Sequence, residues 1–150
     1  MFHSARTGDV ETLIHALGAG FPPNTLNHRG DSVLMVASYN DRLACVRALL
    51  ERGADPNQRD AKGQSPLAGV AFKGLVEVAT ALLEGGADPD AAASDGRTPL
   101  IVAAAFNRVH VISVFLARGA DRHARDASGM SAIDIARAMG ATDASALLAV

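Results

Sequence analysis

The chain has 150 residues, 49% of them apolar, and carries 14 basic against 16 acidic side chains for a formal net charge of −2. That is enough apolar material for one domain folding alone, and the charges are too evenly interleaved for a stripe of Lys and Arg to follow a phosphate backbone, so nucleic acid is disfavoured as a partner. Cys45, the only cysteine, excludes an internal disulfide and a cysteine-based zinc site, and the longest apolar run, Leu100 to Phe106, is far short of the ~18 residues that span a bilayer.

Residues 1–29 read as an N-terminal cap unit: too few residues precede Ser4 for a full first helix, and Gly8-Asp9-Val10-Glu11 follows. Met1 to Arg6 shows no basic segment leading into an apolar stretch, so the protein is expected to be soluble and cytoplasmic. Residues 30–62 open on Gly30 and Ser32-Val33-Leu34, continue to Leu49-Leu50 and close on Gly53-Ala54-Asp55.

Residues 63–95 give the clearest unit. Ser65 is placed to cap a helix, Pro66 stands at the first helical position where a missing N–H costs nothing, and the helix should run to about Lys73. Gly74 permits a sharp reversal. Val76, Val78-Ala79 and Leu82-Leu83 then recur at helical spacing, and Gly86 can close that second helix. Residues 96–128 repeat the plan with Thr98-Pro99-Leu100, Phe115-Leu116 and Gly119-Ala120-Asp121; residues 129–150, with Ser131-Ala132-Ile133 and Leu147-Leu148, read as a C-terminal cap.

The Gly-Ala-Asp triplets at 53, 86 and 119 are 33 residues apart, as are Gly30, Gly63, Gly96 and Gly129. A fixed period of this size means one supersecondary unit stacked on copies of itself. No unit can bury its own Leu-Leu and Ala-rich faces, so Ala37, Ala71, Ala103, Ala104 and Ala136 are expected to let neighbouring helices approach closely.

Catalytic chemistry finds no foothold. Cys45 is in register with Val78 and Val111, which are core positions, so it reads as a small buried hydrophobe. His3, His15, His28, His110 and His123 occupy different places in the unit and form no i, i+4 pair of ligands; no glycines fall in a phosphate-cradling order. Asp55, Asp88 and Asp121 stand one unit apart, roughly 10 Å by the thickness of packed helices, too far for acid–base pairing, and read as loop acceptors. No enzyme activity, cofactor, metal or small-molecule substrate is expected.

The Ser/Thr-Pro-Leu elements, the triplets and the period together resemble the ankyrin repeat, over essentially the whole chain. The resemblance implies an all-α repeat solenoid of helix-turn-helix units joined by β-turn fingers. The histidine that this family places after the Pro-Leu pair is replaced by Met35, Ala68, Ile101 and Asp134, so the hydrogen bonds it gives the turn must be supplied otherwise or lost.

In the family, partners are gripped by the finger tips and the exposed positions of each first helix, which line a concave groove. Carried onto this chain, those positions are His28, Asp31, Tyr39 and Asn40; Gln64, Phe72 and Lys73; Arg97, Ala105 and Phe106; and Met130 and Met139. Tyr39 and Phe72 are one period apart, with Phe106 one residue out of step, so three of the six aromatics fall on one face. They either anchor a partner or fold over the fingers to seal gaps left by the missing histidines. The reading is a non-enzymatic module, monomeric when free, that holds a protein partner in this groove, with Lys73, Arg97 and Asp31 setting orientation. The alanine-rich, compact chain is similar to small bacterial ankyrin proteins, which act as accessory factors for enzymes or as immunity proteins blocking toxins, and the resemblance implies a class of that sort. The competing readings are a passive element that self-associates and, least favoured, an enzyme of unfamiliar kind.

Overall fold

The computed structural model describes all 150 residues as ten α-helices without a strand. They pair as α1 (Phe2–Thr7) with α2 (Val10–Gly18), α3 (Val33–Tyr39) with α4 (Leu43–Glu51), α5 (Pro66–Lys73) with α6 (Val76–Glu84), α7 (Pro99–Ala105) with α8 (Val109–Ala117), and α9 (Ala132–Ala138) with α10 (Thr142–Leu148). The odd-numbered helices pack on one another as an inner layer and the even-numbered ones as an outer layer, so each pair touches only its neighbours. No helix is long and apolar enough to cross a membrane.

The starts of the inner helices follow from their hydroxyl residues. Ser32, Ser65 and Thr98 accept from the backbone N–H groups of Met35, Ala68 and Ile101 at 3.0, 3.3 and 3.3 Å, and all three hydroxyls are buried. In the last pair Asp134, standing where the family has its histidine, accepts from both the backbone N–H and the hydroxyl of Ser131 at 3.0 and 2.9 Å. Those bonds hold its carboxyl below the ordinary carboxylate range, so this contribution is present above that range and is lost as pH falls through the lowered value.

The first pair departs from expectation. Two to seven do form a helix, a single short turn and a half, because Ser4 and Ala5 bury against α3 and Gly8 closes the helix in the left-handed region. Within every pair the reversal is made by one left-handed residue: Gly8, Asp41, Gly74, Asn107 and Gly140 have φ of 87°, 56°, 72°, 55° and 69°. Asn107 turns the same residue into a link between pairs, its Oδ1 accepting from Ala144 N–H at 2.9 Å.

The core is one continuous cluster from Ala5 to Leu148, with Phe115 its largest fully enclosed side chain. A second system of links runs through the loops. Asn24, Asn57 and Asp90, one period apart, accept from Asp55, Asp88 and Asp121 N–H at 2.7, 2.7 and 2.8 Å, and the two asparagines also donate to the Gly53 and Gly86 carbonyls. His123 occupies the next register position and makes no such bond. The triplet aspartates accept from a backbone N–H two residues on, which is the loop role expected of them. Asn57→Ala removes one link and should cost about 1 kcal/mol, with faster amide exchange at Asp88; urea titration and exchange NMR measure both.

Candidate functional site

Four fingers, residues 27–31, 60–64, 93–97 and 126–130, project beside the inner helices, each closed by a backbone bond across its base of 2.9–3.0 Å. Asn27, Asp60 and Asp126 each accept two backbone N–H groups within their own finger, so these three fingers are braced from their own bases. The third finger has Ala93 at that position. It is held from its neighbours instead: Arg59 donates to the Ala92 carbonyl, and Ala127 N–H donates to the Asp95 carbonyl at 2.9 Å.

Between this finger, the second one and helices α5 and α7 lies a cavity of about 400 Å³, lined by Tyr39, Gln64, Ala68, Gly69, Phe72, Lys73, Ala93, Asp95, Arg97, Val102 and Phe106. Phe72 and Phe106 form its apolar wall. Their ring centroids are 4.7 Å apart at an interplanar angle of 84°, an edge-to-face pair, yet they remain 46% and 43% exposed. Phe72 is in the last turn of α5 and Phe106 stands just beyond α7, one residue out of register, and there the two rings meet. Arg108 donates to the Phe72 carbonyl at 3.0 Å and fixes the backbone beneath.

Tyr39 is held differently. Its ring lies over Gly69, inside α5, where a Cβ would come within 2.4 Å of Cε1. Lys73 Nζ donates to the Tyr39 carbonyl at 2.6 Å and sits 5.8 Å from the ring centroid. The ring is half-buried; burial pushes the phenol above its ordinary 10.0, and the Asp60 and Asp31 carboxylates push the same way. Tyr39 is thus a floor of the groove, with the Lys73 ammonium bonded to its backbone carbonyl.

The cavity opens past Tyr39 and Gln64 into a more polar depression with Arg29, Asp31, Asp60 and Lys62, and then into one lined by Arg6, Asn27, His28, Arg29, Asp31 and Asn40. His28, Asp31, Tyr39, Asn40, Gln64, Phe72, Lys73, Arg97 and Phe106 therefore line one groove. Met130 and Met139 do not: Met130 packs half-buried against the core, and Met139, 63% exposed, follows α9 at the far end. Ala105, half-buried, lies outside the cavity lining. Gly69, Ala93, Asp95 and Val102 were not singled out by sequence. Gly69 had a readable signal, being a glycine where Val36, Val102 and Ile135 stand in the other units.

Cys45 is fully enclosed, its Sγ facing the Ser4 carbonyl at 3.9 Å, and burial pushes the thiol up, away from thiolate chemistry.

A family model for three copies of the ankyrin repeat matches residues 1–93 and 70–149. This chain belongs to the ankyrin repeat family. Ankyrin repeats are generally protein–protein interaction modules and are typically non-enzymatic. A relative named as an ankyrin repeat protein, from Pseudomonas aeruginosa, is 47% identical over 47 residues, which make up 31% of this chain and 28% of the relative. The match thus spans little more than a quarter of that protein's length.

Proposed function

We propose that this ankyrin repeat protein is a non-enzymatic binding module that takes a folded protein partner in the groove between fingers and inner helices, as an accessory or blocking factor. The observation that carries the reading is the pair of phenylalanines at the cavity wall. Two aromatic rings left more than two-fifths exposed keep apolar surface open to a partner, and an aromatic wall beside a cavity of about 400 Å³ is what a partner's anchor side chain requires. Tyr39 supports this surface from below, and Gln64 and Arg97 frame it. The cavity is broad and open to the fingers, which suits a protein surface of ordinary interface size, ~1,600 Å² in total.

The test is affinity capture from extract of the source cells with the wild-type chain beside a Phe72→Ala, Phe106→Ala double variant. Both residues are at the surface, so the variant should keep its helical circular dichroism and lose partner affinity by about thirtyfold, as truncation of central aromatic anchors does. Equal retention of the same partner by both proteins would move the site to the outer helices and end this reading.

A further inference from the structure

The charges lining the groove are unbalanced in a way the whole-chain total conceals. Five cations, Arg6, Arg29, Lys62, Lys73 and Arg97, line it against three carboxylates, Asp31, Asp60 and Asp95. All three carboxylates also brace their own fingers while keeping their charge, Asp31 accepting from Asn27 Nδ2 at 3.5 Å. Asp60 accepts the Lys62 and Gln64 N–H groups at 2.9 Å, and Asp95 accepts Arg97 N–H at 3.0 Å. The cations are less committed: Arg6, Arg29 and Lys62 are exposed and make no side-chain hydrogen bond or ion pair, and Arg97 is only loosely paired with Asp95 at 3.8 Å.

Outside the groove the chain carries −4, the whole-chain −2 less the groove's +2, although the outer surface is mixed: Arg52 and Arg118 pair with Glu51 and Glu84, and Arg47 lies on α4. All four glutamates, Glu11, Glu51, Glu77 and Glu84, sit on the outer helices, and none is on a finger or an inner helix. A protein with a net charge of −2 thus presents a positive groove on a negative body. Such a distribution attracts a short acidic stretch that fits the groove and repels a long polyanion that would extend over the rest.

We propose that the groove takes an acidic segment of the partner protein, in which one large apolar side chain seats against Phe72 and Phe106 and flanking carboxylates meet Arg29, Lys62 and Arg97. The proposal rests on the reading of the groove as a protein-binding site and adds the chemistry of what binds. The apolar wall and the cations are contiguous, since Gln64 and Tyr39 line both the aromatic cavity and the polar depression that holds Arg29 and Lys62. An apolar side chain alone would leave those cations unanswered, and carboxylates alone would leave the cavity unfilled.

The experiment is selection of phage-displayed random peptides on the intact protein at low salt, with the Phe72→Ala, Phe106→Ala variant selected in parallel. Enriched sequences should carry one large apolar residue among several Asp and Glu. A synthetic copy with every carboxylate changed to its amide should bind about tenfold more weakly, as should the parent peptide to a Lys62→Glu, Arg97→Glu variant, and raised salt should erase these differences. Enrichment of neutral or basic sequences, or none at all, overturns the acidic assignment. If neutral sequences still fail on the phenylalanine variant, the groove reading survives that loss; if peptides bind both proteins equally, the groove reading falls as well. Displacement of the acidic peptide by a single-stranded oligonucleotide at the same concentration, or salt-sensitive self-association on sedimentation, would overturn it too, by making nucleic acid or the chain's own acidic back face the occupant.

Discussion

Replacing Phe115 by alanine should cost about 3–5 kcal/mol, the largest single effect expected in this protein. The ring is fully enclosed in α8, at the register position held by Leu49, Leu82 and Leu148 in three of the other four units. Because α8 packs on α6, α7 and α10, the void opens where two repeat interfaces meet. Each helix pair touches only its neighbours, so damage should not spread evenly along the stack. Urea titration followed by circular dichroism is expected to split, with the pairs α7/α8 and α9/α10 melting first and the earlier pairs near the wild-type midpoint. Phe115→Leu, which restores the residue of those three units, should recover most of the loss. A single unshifted transition for Phe115→Ala would show that the surrounding side chains collapse into the space, contrary to the packing described.

Gly69→Ala should destabilise the protein by about 1–3 kcal/mol, although alanine is the better helix former by up to about 1 kcal/mol. The reason is steric. The new methyl would lie 2.4 Å from Tyr39 Cε1 and 2.5 Å from Cζ, so the half-buried ring must give up its packing on α5 to make room. Gly18, at the end of α2, has nothing within 4 Å of its would-be Cβ, so Gly18→Ala should stabilise by about 0.5–1 kcal/mol and serves as the control of opposite sign.

The same substitution has a spectroscopic readout. Tyr39 is the only tyrosine and there is no tryptophan, so absorbance titration in alkali reports this one phenol. In the wild type its midpoint should lie above 10.0, and displacement of the ring by Gly69→Ala should bring it back toward that value. The sign for stability follows: a folded value raised above the unfolded one makes this contribution complete below pH 10 and lost as pH rises through the folded midpoint. A midpoint unchanged by the substitution would falsify the close packing of ring on glycine.

Most of the fold was legible because the signals that specify it are local. Ser65-Pro66 and Thr98-Pro99 start helices through one cap bond and one fixed φ; Gly74 and Gly86 adopt left-handed backbone that most residues other than Asn and Asp avoid; apolar pairs at helical spacing mark the buried faces. Each needs only residues a few positions apart. The first helix leaves little signal in the sequence because α1 is too short to persist alone and forms on the surface that α3 offers.

The groove was legible in outline and not in its working parts. Register placed Tyr39 and Phe72 on one face, but nothing in it distinguished a ring sunk against Gly69 from a ring left open beside Phe106. Met130 and Met139 are equivalent by composition to useful contact residues, yet one packs on the core and the other lies beyond the cavity.

By itself, then, the sequence determined the 33-residue unit, its two helices, its turns and the all-α stack, since period, caps and reversals act within one unit or between adjacent ones. Only the tertiary structure decided which side chains from four successive units meet, that Gly69 receives the Tyr39 ring while Ala93 lines the cavity beside the phenylalanines, and that five cations line the groove against three carboxylates. Those outcomes depend on angstrom-scale distances between residues some 33 positions apart, and a linear pattern fixes such neighbours in register without fixing which way their side chains turn.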